Sequence, residues 1–140
     1  MKISARNVLA GKVTKVIKGA VNSEVDLTLT GAEKVAAIIT NSSADGLGLK
    51  EGTAAYAVIK ASDVMVGKDV GKLSARNVLG GTVVKVEDGA VDSVVTVKLS
   101  GGTTLVAVIT KESVKTLGLK NGDSVSAIIK ASHVMVGVDH

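Results

Sequence analysis

The chain has no cysteine, no phenylalanine and no tryptophan, and its single large aromatic side chain is Tyr56. Without cysteine there can be neither disulfides nor thiolate metal sites, which suits a cytoplasmic location without proving one. Without rings, a core must be filled by Val, Ile, Leu and Ala. That favours thin barrels or sandwiches of β-branched side chains over a large aromatic core. No run approaches the ~18 apolar residues of a membrane helix. The opening MKISARNVLAGK carries Arg6 and Lys12 and no apolar stretch of signal-peptide length, so a soluble cytoplasmic protein without membrane partners is expected. Strong charge of one sign is missing too. The net charge is +4, with nine Lys/Arg against seven Asp/Glu in the first 70 residues and eight against six in the second. Such a mild, evenly shared excess can attract anions but does not announce nucleic acid.

What is present is a duplication. Residues 1–70 align with 71–140 without a gap, and 37 of the 70 pairs are identical. The period is too long for a solenoid repeat and suits a small domain, so two domains are expected, 1–68 and 69–140. The periodicity within a unit is that of strands. Val21, Val25, Leu27 and Leu29 are expected on one face and Glu24, Asp26, Thr28 and Thr30 on the other. KVAAIIT (34–40), TAAYAVIKAS (53–62) and VMV (64–66) read as further strands. One short helix per unit is expected between the third and fourth strands. In the second copy Thr110 is its N-cap and Gly118 its stop, while the first copy keeps the stop in a poorer helix. The expected class is all-β with one short helix per unit, arranged as two tandem OB-like five-stranded β-barrels. Units of 70 residues have small cores and often need a partner.

Two polar clusters survive in both copies. Ser4-Ala5-Arg6-Asn7 recurs as Ser74-Ala75-Arg76-Asn77, and Lys60-Ala61-Ser62 as Lys130-Ala131-Ser132. Both offer hydroxyls, fixed positive charge and backbone N–H groups, and neither contains a carboxylate. A set rich in donors and free of carboxylates fits an oxyanion. The plain alternative is turn bonds and solvated cations. Retention of both clusters in both copies, where so much else drifts, favours an anion site built from the two together.

Other chemistry finds little support. Of the two histidines, His133 aligns with Asp63 and His140 ends the chain, so no repeated triad or histidine metal site is expected. Asp69 and Asp139 recur but lie at unit ends without retained partners. GLGLKEG lacks the ending of a phosphate-binding loop. A single-stranded nucleic-acid binder on the same barrel is the serious rival, but such proteins stack bases on aromatic rings, and Tyr56 is replaced by Ser126 in the other copy. A scaffold whose donors only stabilise subunit contacts is the other alternative.

The pattern SARNVL.G.V, A.IT..S...LGL..G and IKAS.V, found twice, resembles the Mop domain of the molbindins, and the double unit is similar to the di-Mop members of that family. The resemblance implies OB-like barrels that bind molybdate and also tungstate as intact oxyanions, with no direct protein ligand to the metal, no catalytic cofactor and no enzyme activity. It implies cytoplasmic storage and homeostasis of molybdenum, or a sensing role in regulators and importers. The absence of a DNA-binding or nucleotide-binding segment here favours storage. It further implies anion sites at interfaces and a homotrimer of six domains. Residue by residue, the oxyanion contacts would be Ser4, Ala5, Arg6, Asn7, Lys60, Ala61 and Ser62, and then Ser74, Ala75, Arg76, Asn77, Lys130, Ala131 and Ser132. Sites on the trimer axis are implied as well, without assignable residues.

Overall fold

The computed structural model describes residues 1–140. Each half builds the same elements. In the first they are β1 (Asn7–Lys18), β2 (Asn22–Leu29), β3 (Lys34–Thr40), α1 (Asn41–Gly46), β4 (Ala54–Ile59), a 3-10 turn (Ala61–Asp63) and β5 (Met65–Gly67). In the second they are β6 (Asn77–Asp88), β7 (Asp92–Leu99), β8 (Thr104–Thr110), α2 (Lys111–Leu117), β9 (Ser124–Ile129), a 3-10 turn (Ala131–His133) and β10 (Met135–Gly137). No helix is long and apolar enough to cross a membrane. The all-β expectation with one short helix per half holds. Thr110 caps α2 by accepting the Ser113 N–H at 3.0 Å, and Gly118 closes it in the left-handed region at φ 61°. Thr40 caps the shorter α1 in the same way.

Strand alternation is obeyed where it was read in β2, with one correction. Val25, Leu27 and Leu29 are buried, but Val21 is 71% and Val91 73% exposed. Both valines precede their strands, and the inward place next to Val25 and Val95 is taken by the fully buried Ser23 and Ser93. Each serine hydroxyl is satisfied locally, Ser23 by Asn41 Oδ1 at 2.5 Å and Ser93 by Asp88 at 2.7 Å. The expected strand 53–62 also ends early. β4 stops at Ile59, and Ala61–Asp63 turn in 3-10 geometry.

Five antiparallel strands make up each sheet, in the orders β10-β4-β1-β2-β3 and β5-β9-β6-β7-β8. The long first strand of each half pairs β2 along its end and β4 along its beginning, with a bulge between Val13 and Lys15. Bulges sharpen the bend of a strand, and the edge strands β10 and β3 approach each other as the sheet curls into an incompletely closed barrel. Gly11 sits where β1 serves both neighbours. A Cβ there would lie 2.5 Å from Thr28 O.

The two sheets are not built from one half each. The boundary at 68/69 falls in the link between β5 and β6, but each sheet takes its fifth strand from the other half. Met65, Val66 and Gly67 pair with Ile128, Ala127 and Ser126, and Met135, Val136 and Gly137 pair with Val58, Ala57 and Tyr56. The main hydrophobic core runs through both halves, joining Ile59 and Val64 to Val83, Leu105 and Ile129. The halves are related as the two copies of an isologous dimer would be, residue i to j and j to i. On the pseudo-twofold axis, equivalent positions meet. His133 Nδ1 lies 3.7 Å from Asp63 Oδ1. Glu33 accepts the Thr103 hydroxyl at 2.6 Å and the Thr103 N–H at 3.1 Å.

Candidate functional site

The two polar clusters, 55 residues apart in sequence, converge because β1 and β4 are antiparallel neighbours. Asn7 at the start of β1 pairs with Ile59 at the end of β4. The segment before β1 and the turn after β4 therefore leave the sheet at the same corner. Between them lies a cleft of about 400 Å³ lined by Ile3, Ser4, Ala5, Arg6, Lys60, Ala61 and Ser62. The equivalent corner of the second half forms a cleft of about 370 Å³ lined by Leu73, Ser74, Ala75, Arg76, Lys130, Ala131 and Ser132. The 3-10 turn supplies donors for a simple reason. Its first bond runs from Asp63 N–H to Lys60 O at 2.9 Å, and the N–H groups of Ala61 and Ser62 stand ahead of it.

The strand exchange completes each cleft. Val108 of β8 and Met135 of β10 line the first, and Ile38 of β3 and Met65 of β5 line the second. Each cleft thus has a donor wall from one half and an apolar wall from the other. Sequence reading found the donors and missed the apolar wall, because nothing local says that the last strand crosses over. No carboxylate lines either cleft. Such a lining brings fixed positive charge and donors together with no negative charge, a balance that favours an anion over a cation.

Two of the expected contact residues have other work. Asn7 is 2% exposed, and its side-chain amide donates to Val106 O and accepts the Val106 N–H, both at 2.8 Å. Asn77 makes the same two bonds, also at 2.8 Å, to Ala36. These amides pair with the outer edges of β8 and β3 as a strand would, and they clamp one half to the other. The side chains of Asn7 and Asn77 are therefore engaged in this clamp and do not line the clefts. Lys60 and Ser62 are also not strand neighbours on one face, since the intervening backbone turns.

The two arginines differ. The Arg76 guanidinium forms a two-pronged pair with Glu24, one prong being Nη2 to Oε2 at 2.9 Å and the other Nη1 to Oε1. Arg6 has no such partner, because Val94 and Thr96 stand where the first half has Glu24 and Asp26. The bond from Arg76 holds the Glu24 carboxyl below its ordinary range. Burial, and then the adjoining Glu24, push Asp26 up, and its Oδ1 is buried without a partner. Elsewhere, Tyr56 donates its hydroxyl to Asp139 at 2.7 Å, so the one aromatic ring is tied down at the other end of β4. No three or more His, Cys, Asp or Glu side chains converge as a metal site would require.

Two curled five-stranded sheets, one for each copy of the sequence repeat, define the class. The TOBE domain model matches residues 3–66 and again 73–136. The chain belongs to the TOBE domain family and carries two tandem TOBE/Mop domains. Among solved structures it is similar to the cytoplasmic molybdate-binding protein ModG, in a crystal form with molybdate bound, at 51% identity and a TM-score of 0.95 over 99% of both chains. It is 43% identical over 140 residues to the molybdenum-pterin-binding protein MopA of Rhodobacter capsulatus, covering 99% of this chain and 53% of that protein. It is 41% identical over 140 residues to the molybdenum transport protein ModE of Herbaspirillum seropedicae, covering 99% of this chain and 52% of that protein. The chain spans about half the length of these two curated relatives.

Proposed function

We propose that this chain is a cytoplasmic binding protein for molybdate, and for tungstate, that holds the oxyanion in the two clefts and buffers its concentration without catalysing a reaction. The observation that carries the reading is the convergence, in both halves, of Ser-Ala-Arg and Lys-Ala-Ser on one cleft free of carboxylates. Ser4, Arg6, Lys60 and Ser62, with the N–H groups of Ala5 and Ala61, form the first site, and Ser74, Arg76, Lys130 and Ser132, with those of Ala75 and Ala131, the second. The arginine and lysine neutralise the dianion while hydroxyls and amides saturate its oxygens. The likeness to ModG over the length of both chains supports the same reading. In this scheme the Mop units 1–68 and 69–140 are each finished by the other's last strand.

The clefts open to solvent, and half-exposed apolar side chains rim them: Ile3 and Met135 at one, Leu73 and Met65 at the other. Exposed apolar side chains around a charged cleft support its closure by another copy of the chain. A homotrimer with the anion between subunits is the assembly this favours. Calorimetric titration with molybdate is the test. Arg6→Ala together with Arg76→Ala should keep the fold and lose about 2–5 kcal/mol of binding per site. Parent-like binding by that double variant would overturn the site assignment. Equal competition by sulfate would overturn the specificity. Light scattering with and without molybdate tests the trimer, and a 14.1 kDa monomer under both conditions would refute it.

A further inference from the structure

The repeat makes the two clefts look equivalent, but their surroundings differ in one respect. Glu24 on β2 is the cross-strand partner of Ile38, which lines the Arg76 cleft. The matching pair in the other half is Val94 with Val108, which lines the Arg6 cleft. A carboxylate thus stands beside one cleft and an apolar side chain beside the other. The Arg76 side chain is half exposed, and it borders both its own cleft and a neighbouring depression walled by Lys15, Asp26 and Lys34. With both prongs of its fork on Glu24, Arg76 lines its cleft with its charge already partly neutralised. Arg6 has nothing to give up.

Resting on the oxyanion reading of both clefts, we propose that Glu24 is an internal competitor for Arg76, so that one chain carries two unequal oxyanion sites, a tight one at Arg6 and a weaker one at Arg76. An anion entering the Arg76 cleft must draw the guanidinium from a two-pronged carboxylate pair, or bind with that charge already half neutralised. It also meets the repulsion of Glu24 itself. A chain built this way releases oxyanion over a wider range of free concentration than one with two identical sites.

The test is calorimetric titration of the full chain with sodium molybdate, using the parent, Glu24→Gln, Val94→Glu and Val94→Gln. The parent should show two affinity classes, with Arg6→Ala removing the tighter and Arg76→Ala the weaker. Glu24→Gln should tighten the weaker class roughly threefold to tenfold, the range for a two-pronged but partly exposed pair. Val94→Glu should weaken the tighter class by a similar factor, while Val94→Gln, with the same bulk and no charge, should not. Melting curves establish that each variant is folded, and if Val94→Glu is not, the Glu24→Gln titration decides alone. Binding in which Glu24→Gln changes neither class, or in which Arg76→Ala removes the tighter class, would overturn the competition and leave the anion reading standing. A parent that takes up no molybdate would overturn both.

Discussion

Asn7 and Asn77 do with one side chain what a strand does with its backbone. Each gives and takes a hydrogen bond with a single residue on the outer edge of the other half's sheet. Replacing Asn7 by Ala leaves the Val106 N–H and C=O without partners at a buried seam, a loss of about 1–3 kcal/mol. The urea midpoint should fall with little change of slope, and Asn77→Ala should add a comparable loss. An unchanged midpoint would mean that water replaces the clamp freely. Asp26 predicts the opposite sign. Its folded value is raised above the ordinary 3.8, chiefly by burial. Its ionised form therefore costs stability above the folded value, and that cost disappears below 3.8, where both folded and unfolded states are protonated. Asp26→Asn, which keeps the shape and cannot ionise, should raise the melting temperature at pH 7, and the advantage should vanish near pH 3. Glu24, held low by Arg76, has the contrary sign. Its contribution is present at neutral pH and fades as pH falls through its folded value.

At the scale of elements, the internal repeat provides its own controls. The turn between β2 and β3 places Ala32 at φ 70°, and the matching turn between β7 and β8 places Gly102 at φ 95°. A Cβ in the left-handed region costs about 1 kcal/mol or more, and glycine avoids it. Ala32→Gly should therefore stabilise the protein, and Gly102→Ala should destabilise it by about 1 kcal/mol, both read from thermal melts. The helices follow the same logic. Thr110 and Gly118 were visible in the sequence as cap and stop because capping is local chemistry, needing only a hydroxyl three residues before an orphan N–H and a residue that tolerates positive φ. Thr110→Ala should cost about 1 kcal/mol, the usual worth of an N-cap.

At the scale of the whole molecule, the exchanged strands β5 and β10 turn two repeats into one body. Residues 1–70 expressed alone retain β1 to β5 but lack β9, the strand on which β5 lies, and β8, the edge that Asn7 clamps. Such a half-chain should pair with a second copy of itself, because its isologous seam is self-complementary. Light scattering should give at least twice the half-chain mass, and a folded monomer would show that β5 can return to its own sheet. Molybdate should stabilise the full chain by roughly 2.7 kcal/mol per site at a hundredfold excess over the dissociation constant, and so raise its melting temperature. Arginine variants should lose that rise.

The strands of each half, the helix caps and the pairing of SARN with IKAS could all be read from the sequence, since each rests on periodicity, local hydrogen bonding or an internal repeat. The crossing of β5 and β10 could not. Met65-Val66-Gly67 has the same apolar alternation whichever β4-type strand it joins, and a duplicated sequence offers two equal partners. Only the tertiary structure chooses between them. That choice also decides the rest of the site. It brings Val108 and Met135 opposite the donors of the first half, commits Asn7 to the backbone of β8, and places Glu24 beside Arg76 while Arg6 is left with Val94. The sequence determined which chemical groups would be available to an anion. Their separation into cleft wall, clamp and ion pair depends on contacts between residues 41 to 99 positions apart, where local propensity has no reach.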